Sequence, residues 1–200
     1  MTTANEGSGA AVPVPKPKPP TPKSTAGSQS IVSAGPVPHM RTIELKNPSS
    51  FDPLAYWSEA ESIARSIAGS DVYRVHVNFQ KVRRDGTMDV TAGGNAHYHF
   101  IVIERARTGN KECVITVAIE MGPAGNPMAA LSEASSCAQR RVKNPECTLQ
   151  QIWDKATAMK APPEGDAIFN LIASGTWQVS IYNPTRWSEA IDDDCKTNPP

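Results

Sequence analysis

The sequence predicts an α+β fold: a helix followed by a four-stranded antiparallel meander, a second helix and a C-terminal hairpin, behind a disordered Pro-rich N-terminal arm. Three observations carry this expectation. Trp57, Ala60, Ala64 and Ile67 recur at spacings of three and four, as apolar residues do on one face of a helix. From Val72 to Arg84 the period changes to two, the signature of a half-buried strand. Turn signals at Asp85-Gly86, Gly93-Gly94-Asn95 and Thr108-Gly109-Asn110 then separate further alternating runs, a spacing typical of strands that pair with their sequence neighbours.

The arm comes first. Of 18 prolines in 200 residues, eight fall within the first 38, and this excess has to be placed outside any core. The run VPVPKPKPPTPK favours extended polyproline II, because each proline fixes its own φ and pushes its predecessor out of the helical region. Residues 1–40 are therefore read as a linker or tether, 41–184 as a single α+β domain and 185–200 as a polar tail. Lys16 to Pro22 also has the basic-x-x-Pro-x-x-Pro form bound by SH3-type grooves, but in so biased a segment tethering is the simpler reading.

Within the domain, RTIELK at 41–46 alternates and reads as a short strand. Asp52-Pro53 marks a helix start, the carboxylate capping free amides and the proline suiting the first turn, and Gly69 ends that helix. The next strand is expected to turn Tyr73, Val75, Val77 and Phe79 to one face and Arg74, His76, Asn78 and Gln80 to the other. A two-residue turn at Asp85-Gly86 would set Arg84 opposite Thr87, Val82 opposite Asp89 and Gln80 opposite Thr91, bringing Met88 and Val90 onto the face of Phe79. Strands at 97–104 and 113–120 complete the meander, the last alternating Cys113, Ile115, Val117 and Ile119. A loop follows Met121, with a helical turn expected near 128–137. Thr148-Leu149-Gln150-Gln151 is a capping box opening a second helix to about Met159, which Pro162-Pro163 stops. Runs at 167–173 and 177–182 form the closing hairpin.

Charge excludes some classes of function. Twenty Lys+Arg against twenty Asp+Glu give a formal net charge of zero, without the basic excess by which nucleic-acid binders displace counterions. No apolar run approaches the roughly 20 residues of a membrane span, and the first residues lack the form of a signal peptide. Four cysteines, Cys113, Cys137, Cys147 and Cys195, make no CxxC pair, which argues against sulfur-ligated metal. Cys137 and Cys147, flanking a turn-favouring Asn-Pro, are the most natural disulfide pair. Disulfides would place the chain outside the cytoplasm; four reduced thiols would place it inside.

The obvious catalytic motifs are absent, so no catalytic residue, metal site or cofactor is assigned. His97 and His99 lie two apart on a strand and share a face, with His76 and Asp89 on the same side of the sheet. Imidazole and carboxylate are ligand types for zinc or nonhaem iron. A strand between them, however, would hold His76 and His97 roughly 10 Å apart. That face also carries Val82, Ile101, Ile103 and Val114 among polar residues, a mixed surface that either the second helix covers or another protein docks on. Trp187 is a further contact residue unless it packs on its own domain. The Asp192-Asp193-Asp194 run lacks the alternating spacing of a calcium loop and reads as solvated charge.

The order strand, helix, meander over about residues 41 to 120 resembles that of cystatin-like and PepSY-like domains, which bind or restrain other proteins. It rests on element order, and no residue carries over. The leading expectation is a noncatalytic protein-binding or assembly module displayed on the tether, with His97, His99, Ile101, Ile103 and Trp187 as its contact residues and another protein as its partner. The alternative is a small metal-dependent enzyme or metal-binding protein using His97 and His99.

Overall fold

The computed structural model describes residues 41–109, 113–122, 127–134, 137, 139–182 and 186–195. The arm at 1–40, with its Lys16 to Pro22 segment, and residues 196–200 lie outside the described residues. Among the described residues, eight strands form one antiparallel sheet in the order β1-β5-β4-β3-β2-β6-β7-β8, so the class is α+β. The strands are β1 Arg41–Thr42, β2 Val72–Val82, β3 Asn95–Val102, β4 Val114–Met121, β5 Pro127–Ala134, β6 Ala167–Ile172, β7 Thr176–Ile181 and β8 Trp187–Asp192; the helices are α1 Trp57–Ala68, α2 Ile103–Arg107 and α3 Leu149–Ala158.

Strand β2 is the hub. The chain builds outward from one of its edges through β3, β4 and β5, then α3 returns it to the other edge, where β6, β7 and β8 continue the sheet. Both long helices pack on one face. Trp57, Ala60, Ile63 and Ala64 of α1 and Leu149, Ile152, Trp153 and Ala156 of α3 join Val77, Phe79, Tyr98, Phe100, Ile115, Val117, Phe169 and Trp177 in one core. Two arginines stack on the helices: the guanidinium of Arg74 on the hub strand lies 5.0 Å from the centre of the Trp57 ring, and that of Arg84, in the turn beyond the strand, lies 5.1 Å from that of Trp153.

The local signals operate where they were read, although α1 begins at Trp57, about one turn after the expected start at Asp52-Pro53. Asp52 Oδ1 accepts hydrogen bonds from the Leu54 and Ala55 amides at 2.9 and 3.1 Å, one turn ahead of α1, and Gly69 closes that helix at φ 63°. Thr148 and Gln151 complete both halves of a capping box on α3.

Several pairing expectations are overturned. The first strand is only two residues long and pairs with β5. Arg84, Asp85 and Gly86 form a three-residue turn in which the Arg83 amide donates to the Thr87 carbonyl at 2.7 Å, so Val82 faces Met88 instead of Asp89. Residues 87–91 are not a strand. Met88 bridges Val82 and Phe51, and Asp89 then caps a 3-10 turn over Val90–Ala92. The physical reason is occupancy: β3 and β6 already hold the two edges of β2 across Val77 to Phe79, so the returning chain finds a partner only at its last residue.

The expected helical turn near 128–137 is strand β5 over Pro127–Ala134, because the free edge of β4 takes a partner there. Ile103, expected in a strand, opens α2. Trp187–Asp192, expected in the tail beyond 184, is β8, paired along its length with β7.

The disulfides join Cys113 to Cys137 and Cys147 to Cys195, not Cys137 to Cys147. Sheet register explains this. Val114 faces Ala134 across β4 and β5, which brings the residues just outside that pair together, while β8 delivers Cys195 beside the start of α3. The intervening strap, 139–146, runs along the part of β2 that β6 does not reach: the Val142 amide donates to the Arg74 carbonyl at 2.9 Å. Asp193, expected as solvated charge, accepts from the Glu146 and Cys147 amides at 2.7 and 2.9 Å and from Trp177 Nε1 at 3.1 Å.

Candidate functional site: the open face of the sheet

A β-bulge in the hub strand sets what the second face displays. The register with β3 slips between Arg74 and His76, so Val75 and His76 both turn away from the helices. Before the slip, Val72 lies in the helix-side core and Arg74 stacks on Trp57; after it, Val77 and Phe79 take the same side. Tyr73 and Val75 were expected beside Val77. They pack instead on the opposite face with Ile101, Cys113 and Val114, a small cluster at one end of the sheet that includes Ala106 of α2.

Direct pairing of β2 with β3 makes His76 the partner of His99 and Asn78 the partner of His97. This corrects the expectation that a strand would separate them. The His76 and His99 rings are 5.0 Å apart and those of His97 and His99 6.4 Å, and all three side chains are half-buried. His99 Nδ1 lies 2.8 Å from Thr116 Oγ1. Asn78 Nδ2 donates to Asn170 Oδ1 at 2.5 Å, Gln80 Nε2 donates to Asn78 Oδ1 at 3.0 Å, and His76 hydrogen-bonds Asn170. Farther across, Gln178 donates to Ser188 at 3.0 Å, and Ser188 also meets Ser180 at 2.8 Å.

The trio is held uncharged. Burial lowers the pKa of all three imidazoles below the ordinary histidine value. For His99, burial and then repulsion from His76 and His97 bring it down to about 4, while Glu120 pulls that of His97 partly back up. Neutral imidazole carries one donor and one acceptor, so each ring pairs with either kind of polar group.

Charge is sparse on this face. From β4 across β3, β2, β6 and β7 to β8, its described positions carry two carboxylates, Glu120 and, at the outer strand, Asp192, and at the bulged end of β2 one ammonium, Lys81, which donates to the Ala92 carbonyl at 2.8 Å. Among the described residues only α2, at one corner, packs a helix against it.

The contact residues expected from sequence divide sharply. His97 and His99 come together, and His76, Asn78, Thr116, Asn170 and Gln178 join their surface. Ile101 is fully buried in the small cluster, and Val82 lies in the main core. Ile103 is 39 % exposed at the start of α2. Trp187 pairs with Ile181 and packs half-buried against the main core, on the helix side. Asp89 is engaged with Arg83 and Thr91.

Among the described residues no group of three or more His, Cys, Asp or Glu side chains is placed to hold an ion. A cavity of about 660 Å³ lies elsewhere, between residues 43–47 and α1, with Leu45, Phe51, Tyr56 and Ile63 in its wall. No helix among the described residues is long and apolar enough to cross a membrane. No protein-family model matches this chain, and neither a curated protein nor a solved structure does.

Proposed function

We propose that the chain is a noncatalytic protein-binding or assembly module, presented on its proline-rich arm and working through the open face of the sheet. One observation carries the reading: a broad surface, almost free of formal charge, on which half-buried imidazoles, amides and hydroxyls are already ordered by bonds to one another. Depletion of charge at the centre of a patch is the compositional mark of a protein interface. Ordered side chains also lose less entropy when a partner arrives. His97 and His99 stand at the middle of this surface, with Gln178 and Ser188 toward its rim. The two disulfides favour work in an oxidising compartment outside the cytoplasm.

Footprinting tests this directly. Diethyl pyrocarbonate modifies neutral imidazole, and His39 in the arm serves as an internal standard. In material from the native source His76, His97 and His99 are expected to label more slowly, relative to His39, than in dilute purified chain. Equal labelling in both preparations refutes the docking face.

A second reading, a small metal-dependent enzyme or metal-binding protein using His97 and His99, draws on the proximity of His76 to both. Stoichiometric zinc or iron in purified protein, lost on changing both histidines to alanine, would move the assignment to that reading.

A further inference from the structure

We infer that the occupant of the open face is a second copy of this chain, related to the first by a two-fold axis through the histidine trio. The inference rests on the docking reading above and adds the identity of the partner.

Position comes first. In the eight-strand order, four strands lie to each side of the boundary between β3 and β2, and that boundary carries His97, His99 and His76. Interface residues that dominate affinity cluster near the geometric centre of a patch. A two-fold axis passing there sets each trio against its own copy.

Chemistry is the second argument. An isologous interface must be complementary to itself. A surface of one charge sign is not, but neutral imidazole, carboxamide and hydroxyl groups each both donate and accept. The central row, Ala118, His97, Asn78, Asn170 and Gln178, is made of such groups beside one small apolar residue. Keeping the trio neutral removes the repulsion that three imidazolium ions would meet on the facing copy.

Area is the third. Seven strands at about 4.8 Å spacing and roughly six residues at about 3.4 Å give a face of about 700 Å² per copy. This is close to the ~800 Å² per partner of a standard stable interface. Two sheets packed face to face, ~10 Å apart and strands roughly aligned, are a common way of covering such a surface.

The test is sedimentation of the full chain over a range of concentrations, with the double variant Gln178→Glu/Ala190→Glu and the control Gln150→Glu on the exposed side of α3. Ala190 and Gln150 are exposed and Gln178 is half-buried at the rim, so the fold tolerates these changes; circular dichroism checks that. The wild type is expected to reach twice its 21.5 kDa mass. The double variant should weaken that dimer about tenfold or more, because it buries two carboxylates per copy in the interface without a cation to pair them, with the control unchanged. Labelling of His97 and His99 should rise as the dimer dissociates. A dimer indifferent to the two glutamates overturns the inference, because it would use another surface. A chain that stays monomeric while its histidines are protected in native-source material also overturns it, leaving a different protein on the face and the docking reading intact. A monomer without protection overturns both.

Discussion

Acid should unfold this domain through His99 before its carboxylates are titrated. The imidazole is half-buried beside His76 and His97 and against Thr116, and its pKa in the folded chain is about 4. In the unfolded chain it returns to about 6.5. A base whose folded value is lowered makes the unfolded state bind more protons as pH falls. Its contribution is therefore complete above about pH 6.5, declines through the interval down to about 4, and is flat below. Each pH unit between the two values is worth about 1.4 kcal/mol, so about 2 kcal/mol is lost by pH 5 and about 3 by pH 4, less any screening at the exposed edge of the ring. His76 and His97 shift in the same direction, and the charged neighbour that tempers the effect is Glu120, beside His97. The assay is urea unfolding of wild type and His99→Gln at pH 7, 6, 5 and 4, diluted so that the chain is monomeric. Glutamine retains a group able to hydrogen-bond Thr116 and cannot titrate. Wild type should lose about 3 kcal/mol more than the variant between pH 7 and 4. Parallel curves, or an NMR titration placing the His99 imidazole near 6.5, would refute the argument.

Other perturbations read other parts of the structure. Cys147→Ser/Cys195→Ser should cost about 4 kcal/mol and Cys113→Ser/Cys137→Ser about 3.5, because the closed segments span 48 and 24 residues and loop entropy grows with their logarithm; denaturant melts of the two variants check the ranking, and four alkylatable thiols in native-source protein would contradict both bridges. Gly86→Ala should cost at least about 2 kcal/mol, since φ is +81° and a Cβ there would meet the Gln150 backbone nitrogen at 2.9 Å. A thermal midpoint unchanged from wild type would show that the turn does not pack against α3.

What the sequence made legible was local, and what it concealed was pairing. The capping box at Thr148 and Gln151, the carboxylate cap of Asp52 and the stop at Gly69 involve residues at most four apart, so the chain carries their whole logic. The hairpin of β6 and β7 was equally readable. By contrast, β5 is PMAALSEA, a string richer in helix formers than in β-branched residues, and it becomes a strand because β4 offers an edge. Strand β8, WSEAID, is too polar to announce itself and forms on β7 for the same reason. The histidine pair on β3 was visible from its spacing of two. His76 was legible on the same side but not as their neighbour, because the return from Asp85-Gly86 looked like a strand and the competition for the edges of β2 cannot be read from residues 87–91. The disulfides followed the same rule: sheet register chose partners 24 and 48 residues apart over the pair separated by ten.

The bulge at Val75 allows the sharpest separation of register from alternation. Deleting one residue inside a strand ordinarily turns every side chain beyond it to the wrong face. Here Val75 is the extra residue: Arg74 already pairs with Phe100 and His76 with His99, adjacent positions on β3. A chain lacking Val75 is therefore a regular strand with Val72, Arg74 and Val77 still toward the helices and Tyr73 and His76 still away from them. The Arg74 bond to Glu61, 2.6 Å long, should survive. The loss is the burial of one valine beside Ile101 and Val114, about 2 kcal/mol. Deleting Val77 instead removes a fully buried residue held between β3 and β6, and has no such compensation. Cooperative unfolding of the first variant and its absence in the second is the expected result. If the chain without Val75 fails to fold, His76 is held on the open face by something other than the bulge.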